Sequence, residues 1–227
     1  MKTRIPLTQA MRKHCMILML LSVSFGLAEG EAASWGIVGW VADGDTIVLT
    51  DGRHIRYIGI DTPEIDHENN RAQPMGYEAR STNCRLVENH KIRLEYDRDK
   101  KDRYGRTLAY VYRSDGLFVN AELLRLGCGH ARYQYPNIDK EDELINAQRD
   151  AMAQGRGLWA WVDKKENPGH AYLGNRRSKR FHVYGCPNSK RVSPKNRIWL
   201  VNQWEAFWHG YAPARGCIVF PPEKGGP

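Results

Sequence analysis

Two Asp-Gly turns set into an alternating apolar stretch constrain this chain more than any other feature of it. From Trp35 through Trp40 and Val41, and again through Ile47, Val48 and Leu49, apolar residues alternate with small or polar ones. Asp43-Gly44-Asp45 interrupts the run as a tight bend, and Asp51-Gly52 makes a second turn into the run from His54 to Ile60. A period of two broken by turn-forming residues marks antiparallel strands joined by hairpins, so this stretch reads as a three-strand meander that stops at Pro63. Lys91 to Tyr96 supplies a fourth strand and Thr107 to Tyr112 a fifth. Helical segments intervene. One runs from Glu78 to Glu88, and a short one passes through Leu123, Leu124 and Leu126 with Asn120 as its N-cap and Gly127 as its stop. Asp139 opens a longer one, with Leu144, Ala147, Ala151 and Leu158 at helical spacing and with Glu141, Asp142, Gln148 and Arg149 expected to face water.

Five short strands with about three helices make the chain α+β and predict a small closed barrel of the OB type, a platform for nucleic acids and sugars that does not by itself choose between them. The barrel domain reads as residues 35–162. Ahead of it, Lys2, Arg4, Arg12 and Lys13 precede an apolar run from Cys15 to Ala28. That is the shape of a signal peptide over residues 1–28, and the run is short of the roughly 20 apolar residues a membrane span needs. The expectation is a protein exported to the periplasm or the medium, without stable membrane insertion after processing. Residues 163–180 read as a basic linker, with Pro168-Gly169 and Gly174-Asn175 as turn signals, and residues 181–220 as a small Cys/His-containing basic module. The formal charge of +8 is unevenly spread: residues 29–163 hold 18 basic and 23 acidic side chains, residues 164–227 hold 12 and 3. Any pull on a polyanion comes from the tail, unless that charge serves solubility alone.

The chemistry concentrates at Asp61-Thr62-Pro63-Glu64, where two carboxylates and a threonine follow an apolar strand that also carries Arg56. Taken alone this is either a solvated salt bridge or a metal and phosphate site. Asp45, at the bend after the first strand, converges on it if the meander pairs as drawn. Oxygen ligands of this kind suit Ca2+ or Mg2+. Arg106, in a loop entering the fifth strand, adds a second guanidinium. Two arginines and a carboxylate-held cation are what the charge of a pentacoordinate phosphate transition state calls for.

The segments VADGDTIVL, HIRYIGIDTPE, DRYGRTLAYVY, NAELLRLG, ARYQY and GRGLW, in that order, resemble the thermonuclease (staphylococcal nuclease) family over residues 35–160. The resemblance implies a Ca2+-dependent endonuclease acting on DNA and RNA, single strands favoured, which breaks the P–O5′ bond and leaves 3′-phosphate ends. It implies Asp45, Asp61 and the Thr62 carbonyl as metal ligands. Glu64 would position or deprotonate water, its pKa expected low beside a cation, and Arg56 and Arg106 would stabilise the transition state. Asp43 would orient Asp45 from behind, or be a plain turn residue. Tyr133, Tyr135, Tyr104 and Arg103 would contact nucleotides, with Arg103 standing where the family has lysine; the two tyrosines 133 and 135 also read as packing residues. No protein partner is implied and a monomer is expected. The competing reading is a catalytically inactive OB-fold module that binds nucleic acid or another polyanion.

In the tail, His182, Cys186 and Cys217, with Asn196-Arg197 and Gly210-Tyr211, resemble a short module appended to bacterial secreted nucleases. A Cys186–Cys217 disulfide is the simpler reading. Zinc would need a fourth ligand, for which His209 is the nearby residue. Trp204 and Trp208, at helical spacing, read as core.

Overall fold

The computed structural model of the chain describes residues 34–165, 172–218 and 220–221. The expected signal peptide lies outside the described residues, among which no helix is long and apolar enough to cross a membrane. The meander is present as β1 (Ser34–Asp43), β2 (Thr46–Leu49) and β3 (His54–Tyr57). After it come β4 (Ile60–Asp61), the small hairpin of β5 (Ile65–Asp66) and β6 (Arg71–Ala72), and helix α1 (Gly76–Val87). The strands β7 (Lys91–Glu95) and β8 (Thr107–Arg113), helix α2 (Val119–Arg125), β9 (His130–Ala131) and helix α3 (Glu141–Gln154) complete this half.

Strands β1, β2, β3, β8 and β7 close into a barrel in that order. Closure depends on β1 serving two walls. Its first residues, Ser34 to Ile37, pair with β7, while Val38 to Asp43 pair with β2, and the register shifts just after Val38. Such bulges bend and twist a strand, which a small barrel requires. Val38, Val41, Ile47, Ile55, Ile92, Leu94 and Val111 are buried and fill the interior, each contributing about 1.5–3 kcal/mol of apolar burial.

Two polar residues depart from the sequence reading for one reason. Asn120 is not an N-cap: α2 begins a residue earlier, and the buried Asn120 side chain accepts from the Val111 N–H and donates to the Ile58 carbonyl, both at 2.9 Å. Gln148 does not face water. Fully buried, it accepts from the Ala131 N–H and donates to the Phe207 carbonyl, each at 2.6 Å. Both satisfy backbone groups that no strand neighbour reaches, which burial demands. Asp139 likewise precedes α3, which starts at Glu141, and Leu158 lies beyond it in a 3-10 turn, Gly157–Trp161.

The C-terminal half is a four-stranded sheet ordered β12 (Arg197–Leu200), β10 (Tyr172–Asn175), β11 (Arg180–His182), β13 (Ala212–Pro213), with α4 (Gln203–Trp208) between β12 and β13. The stretch read as a linker therefore contains β10. Its Gly174-Asn175 signal marks a hairpin, in which the Asn175 side chain accepts from the Arg177 N–H and the Asn175 carbonyl from the Lys179 N–H. Its apolar cluster, among the described residues, is shared with the barrel half: Phe181, Phe207 and Tyr211 pack with Ala151 and Met152 of α3 and with Trp159. Phe207 stands edge-on to both Trp159 and Phe181, with ring centroids 5.0 and 5.3 Å away, a geometry that adds to plain area burial. In α4 it is Ala206 and Phe207 that are buried, while Trp204 and Trp208 lie at the margin. Cys186 and Cys217 are joined as a disulfide, which removes the thiolates a zinc site would use. Cys84 and Cys128 are free.

Candidate active site

The bend between β1 and β2 is pressed against the strand end that carries the acids. A Cβ on Gly44 would lie 2.6 Å from the Thr62 hydroxyl and 2.9 Å from Ala79, and one on Gly129 would lie 2.6 Å from the Asp61 carbonyl. Only glycine permits both approaches, and together they clamp Asp61-Thr62 between the bend and the entry to β9. The clamp is pinned by polar bonds. Asp43 accepts from the Asp45 N–H at 3.0 Å, Asp45 accepts from the Thr62 N–H at 2.9 Å, and Asn83 of α1 holds the Asp43 carbonyl at 3.1 Å while accepting from the buried Tyr57 hydroxyl. Asp43 thus orients Asp45 through the backbone.

Arg56, opposite Thr46 on one side and Leu108 on the other, is buried in the barrel wall. It pairs with Asp45 and with Asp61 at 2.7 Å. Charge and burial divide these carboxylates. Burial raises Asp45 more than Arg56 lowers it, Asp43 and Asp61 add to the rise, and its pKa is pushed up to about 7. Burial also raises Asp61, but Arg56, His130, Arg132 and Arg180 outweigh it and hold Asp61 below the ordinary carboxylate range. Glu64 lies above its ordinary value because burial and Asp45 outweigh Arg56.

Arg106 is set by its own loop. Asp102 accepts from the Tyr104 and Arg106 N–H groups and from the Arg106 Nε, at 2.8–3.0 Å. The structure brings Arg56, Glu64 and Arg106 to one cavity of about 420 Å³, with Arg103, Tyr104 and Tyr135 on the same wall. Tyr104 and Tyr135 are exposed, and Arg103 lies over the Tyr104 ring at 4.8 Å. Tyr133 instead lines a separate crevice with Gly59, Tyr110 and Leu144. Alternation does not carry from 133 to 135, because β9 ends at Ala131 and the chain turns between Gln134 and Asn137.

Sequence reasoning missed Arg132, which pairs with Asp61 at 3.4 Å, and Arg215, which lines the cavity from the C-terminal half. It also missed Gln73, whose side chain accepts from the Glu64 N–H at 3.0 Å. Arg132 stood inside the ARYQY segment, where only the tyrosines drew notice; Arg215 had no local signal.

Comparison with known proteins bears on this arrangement. The family model described as Staphylococcal nuclease homologue matches residues 54–161. The chain is 39% identical over 140 residues to the thermonuclease of Staphylococcus hyicus, covering 60% of this chain and 82% of that protein. It is 43% identical over 123 residues to the thermonuclease of Staphylococcus intermedius, covering 52% and 72%, and 39% identical over 123 residues to endonuclease YncB of Bacillus subtilis strain 168, covering 52% and 58%.

Proposed function

Because the chain belongs to the thermonuclease (staphylococcal nuclease) family and is a nuclease of the hydrolase class, we propose that it is an exported, monomeric, Ca2+-dependent endonuclease that cuts DNA and RNA, favouring single strands. The observation that carries the reading is the convergence of Arg56, Glu64 and Arg106 on one cavity beside the Asp45 and Asp61 carboxylates.

The donor set suits a hard divalent cation. Two carboxylates and a backbone carbonyl offer oxygen alone, and burial leaves Asp45 with a demand for positive charge that Arg56 does not meet. Asp45, Asp61 and the Thr62 carbonyl would hold Ca2+, which when bound supplies Lewis-acid charge beside a phosphoryl oxygen.

The chain's own groups account for the rest. Arg56 and Arg106 present guanidinium forks to the phosphoryl oxygens as negative charge builds; for Arg56 this means exchanging carboxylate partners for phosphate. Glu64 orients the attacking water and accepts its proton. As the water oxygen bonds to phosphorus, the P–O5′ bond breaks, the 5′ oxygen takes a proton from solvent and leaves as a hydroxyl, and a 3′ phosphate remains. Tyr104 and Tyr135 offer faces on which bases stack without sequence preference.

The test is digestion of DNA and RNA by the purified protein with Ca2+ or with EDTA, followed by end-group analysis. Cleavage only with Ca2+ and 3′-phosphate ends are expected. No Ca2+-stimulated cleavage, or 5′-phosphate ends, would overturn the reading. N-terminal sequencing of the exported protein should begin after Ala28 or Gly30.

A further inference from the structure

Arg215 follows β13 in the turn that the Cys186–Cys217 disulfide ties down. The Ala214 N–H donates to the Phe181 carbonyl at 2.9 Å and the Cys217 N–H to the Ala214 carbonyl at 3.1 Å, so the turn is fixed on both sides of Arg215. From there Arg215 lines three hollows. One holds Asp61, Thr62 and Glu64. A second holds Arg56 and Arg106. The third runs over the C-terminal sheet and is lined by Arg132, Arg180, Arg191 and Arg215 with Asn175 and Asn188.

The third hollow differs from the other two in composition. No carboxylate lines it, and among the described residues none of Arg180, Arg191 and Arg215 forms an ion pair, although such pairs are frequent in the barrel half. Arg180 donates to the Pro213 carbonyl at 3.2 Å instead. Burial, with Arg132 and Arg215 nearby, outweighs the pull of Asp61 and pushes its pKa down to about 10, as happens where cations outnumber counter-charge. Guanidinium groups backed by amide donors match the oxygens of phosphodiesters. Because Arg215 and Arg132 belong to this hollow and also to the one that holds Arg56, a phosphate held over the sheet and a phosphate at Arg56 can belong to one strand.

We propose that the C-terminal half forms a second phosphate subsite, in which Arg180, Arg191 and Arg215 hold backbone phosphates of the strand whose scissile phosphodiester lies at Arg56 and Arg106. The proposal rests on the nuclease reading and names what the basic tail adds to it: a preference for strands long enough to reach from one subsite to the other.

Full-length wild type, Arg215→Ala and the double variant Arg180→Ala/Arg191→Ala are compared on a dodecathymidylate and on the dinucleotide TpT, whose single phosphate cannot occupy both subsites. The KM ratio of dodecamer to dinucleotide should rise on the order of tenfold in the double variant. In EDTA, where binding is read without cleavage, the slope of log K against log salt for a labelled dodecamer should fall by about 0.7 for each phosphate that is no longer held. Arg215→Lys should restore the slope that Arg215→Ala removes, and a melting curve checks that each variant folds; since Arg215 is exposed, its variants answer even if Arg180→Ala loosens β11. Unchanged slopes and an unchanged ratio in all variants would overturn the subsite. If wild type cleaves neither substrate, the nuclease reading falls, while the binding slopes still decide whether the subsite exists.

Discussion

The two halves of the molecule handle arginine in opposite ways. In the barrel half, Arg56 faces Asp45 and Asp61, Arg106 faces Asp102, and Arg113 faces Asp115. In the C-terminal sheet, Arg176, Arg180 and Arg197 donate to carbonyls, and no ion pair occurs there among the described residues. Charge that is paired acts only on what displaces its partner, so the barrel's arginines are specific and short-ranged. Charge left unpaired acts on any polyanion within reach of the Debye length, about 8 Å at physiological salt. Under the proposed reading, chemistry and attraction fall to different parts of one chain, and the two can be separated by what each variant changes.

The largest effect is expected at Glu64. Glu64→Gln keeps the shape, since the contact seen there uses the backbone N–H and not the carboxylate, and kcat should fall about 100- to 10,000-fold. The salt dependence of binding should stay as in wild type. A changed slope would mean that the barrel carboxylate also governs attraction, which would erase the division between the halves.

The opposite risk is that the halves are separable bodies. Phe207 argues that they are not, because its ring packs against Trp159 on the barrel side and Phe181 in the sheet. Phe207→Ala should cost about 3–5 kcal/mol and lower the midpoint of a single melting transition seen by both far-UV and tryptophan signals. Two transitions, one of them unmoved, would show that the halves fold independently.

The barrel's pairing can be tested by pH with metal chelated. Asp45 has a folded pKa of about 7 against 3.8 as its reference value, so the folded protein holds this proton more tightly than the unfolded chain does. Its contribution is fully present below about pH 4 and is lost as pH rises through 7. In EDTA, stability should therefore fall over that window by up to a few kcal/mol on account of Asp45, and Asp45→Asn should flatten the fall. Asp61, whose pKa is lowered, has the reverse sign: its contribution is present above its unfolded value and is lost in more acid solution. Added Ca2+ should restore stability near pH 7 in wild type more than in Asp45→Asn.

What the sequence made legible follows the range of the interactions. The strands were readable because alternation and Asp-Gly turns are local signals, and all five barrel strands were found, although β3 stops at Tyr57, three residues short of the Ile60 at which the apolar run ends, and β1 runs on to Asp43. Arg56, Glu64 and Arg106 could be picked out together because each sits in a segment of recognisable spacing, and they line one cavity. Asn120 and Gln148 were misread because a polar residue in a helix normally caps it or faces water. Their partners, Ile58 and Phe207, lie 62 and 59 residues away. The strand β10 was hidden for a similar reason: Tyr172 and Leu173 are too few apolar residues to show a period, and their sheet neighbours come from later in the chain. Arg215 reaches the site only because the C-terminal sheet folds back on α3, which no local pattern announces.

The smallest effect concerns the aromatic wall, and it separates stacking from charge. Tyr135 is exposed beside Tyr104 in the cavity with Arg56 and Arg106, while Tyr133 lines another crevice. A base stacked on an exposed ring contributes about 1–3 kcal/mol, so Tyr135→Ala should raise the Kd for a short single strand by roughly tenfold and Tyr133→Ala should leave it close to wild type. Stacking releases no counterions, so the salt slope in Tyr135→Ala should match wild type even as affinity falls, whereas the arginine variants of the C-terminal sheet should lose slope and affinity together. If Tyr133→Ala weakens binding as much as Tyr135→Ala, the strand passes over both crevices, and the aromatic wall is wider than the one cavity that Arg56, Glu64 and Arg106 line.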